Sequence, residues 1–391
     1  MKYRVTVLTP TLVGDGSRLS PIDYMVWREQ VNVLDQARIF KLLSKGPRLE
    51  GYLTQLRKAT KLDFASWGGF AQNYADRRIP FEDSAYGSYW DRAPAESLSI
   101  PTFASTVDGP FLPGAAVKGA LRTAFVFANL KTTAVRDAAA RLAGERPSRR
   151  PAEQVEQQTA GSGGSDRLRV ISVADSASGS REAYRIYMLR LATLISGGSG
   201  AAAAARGPRP YSLGWKQAGR GAADGKRPEE GTPTFAEMAP PGTTFEGLWR
   251  EKAFLNHPEV RETLRWSLPV SREDLFAAAN QYAAKQLEVH ARYAEWTGLE
   301  TLASSVADLR RRLSDALNGG ACLLSLGWGG GFVSKSAGIG AEEEDQRKLL
   351  GALPYYERAI KSGLPFPKTR RVVFLRNKPA TLPGWVELKV G

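Results

Sequence analysis

Sulfur and imidazole are scarce in this 391-residue chain, which has one cysteine, two histidines and four methionines. A single cysteine, Cys322, excludes an internal disulfide framework and fits a reducing compartment, the cytoplasm. It lies in the apolar run Ala321–Leu326, where it reads as a small core residue. One cysteine with His257 and His290 cannot supply a Cys/His metal site, and no metal or other cofactor is expected. No apolar run approaches the ~20 residues that cross a bilayer. The chain opens directly on a strand-like Lys2–Leu8, so no leader or membrane segment is expected. Acid is also in short supply, with 54 Lys+Arg against 40 Asp+Glu and a net charge of +14. That excess favours a polyanionic partner, nucleic acid ahead of a membrane surface. Hydrophobic content of 42% and charged content of 24% are those of a globular protein, long enough for two domains with their own cores.

Tyr3, Val5 and Val7 alternate with Lys2, Arg4 and Thr6, the period of a half-buried strand. Tyr24–Trp27 and Val31–Leu34 flank Arg28-Glu29-Gln30 as a hairpin, and Asp35 caps a helix that ends near Gly46. A second helix is expected from Pro47 to Ala59. Lys61–Ser99, rich in aromatics, glycine and charge, reads as a long surface excursion. Gly144–Ser165 lacks apolar periodicity and reads as a mobile linker. Strand character resumes at Leu168–Ala174, and Glu182–Leu191 fits either a strand or an apolar helix turn. Ser196–Pro210 and Lys216–Thr232 are low-complexity loops. Thr243–Trp249 reads as a strand, and Ser271-x-x-Asp274 is a capping box for a helix to Trp296, followed by a helix from Glu300 to Leu317. Ala321–Leu326, Arg371–Leu375 and Trp385–Val390 complete the strands. The expected class is α+β, two ferredoxin-like (RRM-like) units with long inserted loops and a helical insertion at 271–318. The boundaries are 1–143 for the first unit, 144–166 for the linker and 167–391 for the second, with low-complexity loops at 196–232.

The most informative stretch is Pro110–Thr123. A Pro113-Gly114 turn leads into a helix whose apolar face, Val117, Ala120, Leu121, Ala124, Phe125 and Ala128, follows helical spacing. Lys118 and Arg122 sit four apart near its start, where unpaired N–H groups and the helix dipole favour an anion. The glycines do not end in Gly-Lys-Ser/Thr, so Gly114–Gly119 is no ATP loop. Gly327-Trp328-Gly329-Gly330-Gly331 follows a strand and lets backbone N–H groups approach a phosphate, with Trp328 as a stacking platform or hydrophobic anchor and Lys335 just beyond. The same glycines also suit a turn that packs two elements closely. Gly14-Asp15-Gly16 with Arg18 is either a tight turn or a further contact. Lys368, Arg370 and Arg371 form a basic edge before the last strands, fit for phosphates or for solvent.

Pro113-Gly-Ala-Ala-Val-Lys-Gly-Ala-Leu-Arg-Thr123 resembles the signature of the RAMP superfamily, the RNA-binding subunits of CRISPR effector complexes. Val7–Gly16, Pro21–Tyr24 with Val31–Asp35, Leu326–Lys335 and Pro365–Arg371 resemble further segments of that family in the same order. The order and spacing are most similar to the subunit of the type III-A (Csm) complex that caps the filament at the 3′ end of the guide RNA. The resemblance implies antiviral defence and a non-catalytic subunit that binds the 3′ region of the guide RNA (crRNA) and has a role in guide maturation. It implies other RAMP subunits as partners, and it extends to target RNA and a recruited nuclease. The alternatives are a RAMP endoribonuclease, processing guide precursor or cleaving target RNA, and a repeating backbone subunit. The implied RNA contacts are Gly14, Gly16, Arg18, Gly114, Lys118, Arg122, Gly327–Gly331, Lys335, Lys368, Arg370 and Arg371. Some RAMP proteins that cut guide precursors use a histidine near the first loop, where this chain has Leu12 and Val13. Asp15, Asp23 and Asp108 are the acidic candidates for cutting target RNA, and Asp108 sits in what reads as a hairpin turn. No catalytic residue is assigned.

Overall fold

The alternation at the N-terminus forms the strand it implies, but that strand lies in the middle of a sheet. A computed structural model describes residues 1–58, 71–142, 151–196, 211–219 and 221–391. In chain order the elements that carry the site are β1 (Lys2–Val7), α1 (Gly114–Ala128), β2 (Ile171–Ser176), β3 (Arg185–Ser196), β4 (Thr244–Glu251), α2 (Arg272–Thr297), β5 (Cys322–Ser325), β6 (Thr369–Leu375) and β7 (Trp385–Val390). The first sheet runs β5-β7-β1-β4-β2, all antiparallel. Tyr3 faces Gly247 on one side and Val390 on the other. A Cβ at Gly247 would stand 2.6 Å from the Tyr3 ring, so glycine there makes room for the aromatic. Tyr3, Val5 and Val7 are buried, and each such side chain stabilises the fold by roughly 1.5–3 kcal/mol.

The second sheet places Tyr211–Trp215, β3, β6 and Lys378–Thr381 side by side, with Thr234–Met238 on the first half of β3. β3 is buried on both faces, which is why its apolar run lacked a period that told strand from helix. One core lies between the first sheet, α1 and the start of α2. A second lies between the other sheet, the rest of α2 and the helix Glu300–Asn318. The capping box at α2 forms as expected, with Ser271 Oγ accepting from Asp274 N at 3.1 Å and Asp274 Oδ2 from Ser271 N at 2.9 Å. The fold is α+β.

Two expectations change. The described part of Lys61–Ser99 is no surface excursion, since Ile79, Phe81, Tyr86, Trp90 and Leu98 are buried. Tyr86 and Trp90, one helical turn apart, dock inward: Tyr86 donates to the Phe374 carbonyl at 2.9 Å and Trp90 Nε1 to Tyr24 Oη at 2.8 Å. The rest of that stretch, and most of Ser196–Pro210, fall outside the described residues. Within Gly144–Ser165, Pro151–Ala160 is a helix that begins on proline, a residue at home in a first helical turn, and Ala160 is buried.

Candidate nucleic-acid interface

α1 starts against β2. A Cβ on Gly114 would overlap the carbonyl oxygens of Val173 and Ala174, so only glycine fits there. The Gly114 N–H donates to Asp175 Oδ1 at 2.8 Å. Lys118 Nζ donates to the Ile171 carbonyl at 2.9 Å, and its partial burial holds its pKa below the usual lysine value. Arg122 pairs with Asp166 at 2.5 Å and with Glu156 at 3.5 Å. The stripe Gly114-Lys118-Arg122 therefore grips β2 and the segment before it, and its positive charge meets carboxylates of the same chain.

The neighbouring stripe of α1 faces open space. Ala116, Gly119, Ala120 and Thr123 line a groove of about 560 Å³, with Leu12–Arg18 on one side and Gly327, Trp328 and Lys335 on another. A Cβ on Gly119 would meet nothing within 4 Å. The helix, the first loop and the glycine-rich loop thus meet in one place. Small residues at 116, 119, 120 and 123 mark this face, and Ala116 and Ala120 pack partly against the core as well. In the first loop, Gly14 sits tight against the Thr102 carbonyl, 2.8 Å from where its Cβ would be, and Gly16 has φ +100°. Arg18 is exposed beside Pro101.

The glycine-rich loop is tied at both ends. Gly327 has φ +72°, and a Cβ there would overlap the Leu12 carbonyl. Trp328 N–H donates to Leu12 O at 2.8 Å, while Tyr282 Oη and Gln286 Nε2 from α2 donate to Val333 O at 2.8 and 3.1 Å. The amides of Gly329, Gly330 and Gly331 have no acceptor among the described residues. They are free donors on a braced loop, the arrangement that cradles a phosphate. Lys335 is exposed and has no carboxylate partner among the described residues. The Arg371 guanidinium lies over the Trp328 ring, 4.1 Å from its centroid, and the indole, partly buried, also packs against the core.

Beyond the loop a second cleft, of about 900 Å³, takes in Lys368, Arg370 and Arg371. Arg370 is buried, and its guanidinium is occupied internally. It donates to the carbonyls of Pro367 and Thr369 at 2.7 and 2.8 Å and to His290 Nδ1 at 3.1 Å, and stacks on the Tyr293 ring. Burial pushes the Arg370 pKa down to about 10, which keeps it charged at neutral pH. His290 is buried beside that charge, and both effects hold its pKa well below 6.5. The ring is neutral and structural in its contacts. Lys368 is half-buried on the cleft wall.

The acidic candidates are dispersed. Asp15 is exposed and accepts from Ser17 N at 2.9 Å, a bond that lowers its pKa. Asp23 accepts from Ser20 N at 2.6 Å. Asp108 occupies the turn between Ser105–Thr106 and Gly109–Pro110. No group of three or more His, Cys, Asp or Glu side chains fit to hold a metal occurs among the described residues, and no described helix is long and apolar enough to cross a membrane.

The sequence matches the RAMP superfamily over residues 4–334. Among solved structures, a chain of a Csm-crRNA-target RNA ternary complex of a type III-A CRISPR-Cas system, determined by cryo-EM, is similar at a TM-score of 0.66 and 20% identity, over 100% of both chains. The crystal structure of T. onnurineus Csm5 is similar at a TM-score of 0.57 and 14% identity, over 98% of this chain and 99% of that one. A comparison with curated proteins finds no match.

Proposed function

This chain belongs to the RAMP superfamily, and from that premise we propose that it is a non-catalytic RNA-binding subunit of a type III-A CRISPR complex. It binds the 3′ region of the guide RNA, caps the filament of repeated subunits and takes part in guide maturation in the cytoplasm. Its partners are the guide, the neighbouring RAMP subunits and, through the guide, target RNA.

One observation carries this reading. The first loop, the open face of α1 and the start of the glycine-rich loop, far apart in sequence, line one groove together with Lys335, and the amides of Gly329–Gly331 and the Arg371 guanidinium lie just beyond it on the adjoining cleft, without an acceptor or a carboxylate partner among the described residues. Such a groove grips a phosphate backbone and selects no base sequence. The likeness in fold to a chain of a Csm-crRNA-target RNA complex supports the choice of assembly.

Reconstitution with guide RNA and partner subunits tests it. Native mass spectrometry is expected to count one copy per complex, and several copies would instead make the chain a repeating subunit. Guide precursor and complementary RNA are expected to survive incubation with the purified chain, with or without divalent cations. Specific cuts that disappear in Asp15→Ala, Asp108→Ala or His290→Ala would make it an endoribonuclease.

A further inference from the structure

We propose that the larger cleft is a nucleobase pocket, taking one base turned out of the RNA strand that crosses the glycine-rich loop. The proposal rests on the RNA-binding reading above and adds to it a site for a base.

Four observations converge. The first is continuity: the cleft shares Gly327, Trp328, Ser334 and Lys335 with the groove, so the loop is a sill between them. A strand lying on the sill has the groove on one side and the cleft on the other. The second is the character of the walls. Phe332, Tyr356 and Phe366 pack edge to face, with centroids 4.9–5.9 Å apart, and Val126, Leu130 and Val135 line the same space. At about 900 Å³ it lies in the upper part of the ~300–1,000 Å³ range of small-molecule sites, roomy enough for a base and its ribose.

The third is charge. Among the described residues, Lys335, Lys368 and Arg371 line the cleft with no carboxylate partner, and the one acidic residue on the lining, Glu156, is already paired with Arg122. An apolar ligand would leave these cations unneutralised, and a bare phosphate would leave the aromatic walls in water. A nucleotide within a strand satisfies both, its base on the rings and its phosphate at the sill. The fourth is a polar group on the lining. His290 is 3% exposed, and its Nδ1 accepts from Arg370 Nε. The neutral ring therefore carries its proton on Nε2, which has no acceptor among the described residues. That N–H is a donor for a base carbonyl.

Photocrosslinking of the full chain to RNA containing 4-thiouridine tests the pocket without depending on the register of the RNA. Crosslinks are expected at Phe332, Tyr356 or Phe366 as well as at Trp328 in the groove. Ala359→Trp, which fills the cleft, is expected to abolish the former, keep the latter and weaken binding about tenfold at an unchanged salt slope. Tyr356→Leu, which keeps an apolar wall, is expected to weaken binding in the same direction. Crosslinks confined to the groove, or full affinity in both variants, would overturn the pocket and leave the RNA-binding reading standing. Absence of any RNA binding by the wild-type chain would overturn both.

Discussion

The Asp175 carboxylate accepts the Gly114 N–H at 2.8 Å, so the first turn of α1 already holds an anion and that anion belongs to the chain. Lys118, one turn on, holds the Ile171 carbonyl at the other end of the same strand. The signature stretch works here as a clamp that fixes α1 on β2 and turns its small-residue face to the groove. Asp175→Ala is expected to lower stability by about 1 kcal/mol, the usual cost of a lost helix cap. Urea unfolding midpoints check it, and an unchanged midpoint would show that the contact stabilises nothing.

The cations differ in how free they are. Lys335→Ala with Arg371→Ala is expected to flatten the slope of log affinity against log salt by roughly 1.4, two contacts at about 0.7 each for a single strand. Lys118→Ala with Arg122→Ala is expected to cost about 1–2 kcal/mol of stability and to leave the slope nearly unchanged. Filter binding across a salt series separates the pairs, and the reverse ranking would move the phosphate path to the other stripe of α1.

Gly119 offers a test of the groove that does not disturb the core. Its Cβ direction is empty, so Gly119→Ala is expected to add up to about 1 kcal/mol of stability through helix propensity. Gly119→Phe is expected to fold normally and bind RNA roughly tenfold more weakly, a loss of about 1.4 kcal/mol. Full affinity in Gly119→Phe would take the RNA off this face.

His290 gives the fold an acid-sensitive point. Its folded-state pKa lies well below 6.5, so under acid the unfolded chain takes up a proton that the folded chain refuses. This contribution is complete above about pH 6.5 and is lost as pH falls, by at most about 1.4 kcal/mol per pH unit. His290→Gln keeps an acceptor for Arg370 and is expected to flatten the acid limb of stability between about pH 7 and pH 5. Parallel limbs for the two proteins would locate the sensitivity elsewhere.

Local chemistry was legible in the sequence. The Lys2–Val7 alternation, the Asp35 cap that accepts from Arg38 N at 3.0 Å and the Ser271–Asp274 box all form where their residue types require them. What short-range pattern could not carry was partnership. Nothing near Arg122 in sequence announces Asp166 or Glu156, and nothing near Arg370 announces His290. Lys118 and Arg122 look free when read along the helix, yet both are engaged across the fold. The aromatic walls of the cleft are likewise drawn from separate segments, and no period marks them as one surface.

The central place of β1 has a consequence for how this molecule comes into being. Its two neighbours in the sheet, β4 and β7, lie more than 200 residues further along the sequence. Leu12, just beyond β1, anchors Trp328, while the loop holding Trp328 leaves β5, whose own neighbour is β7. Contacts of such sequence separation make folding slow, because the entropy of closing long loops comes due before the contacts form. The two lips of the groove are therefore held together across the sheet by β7, the strand that lies between β1 and β5.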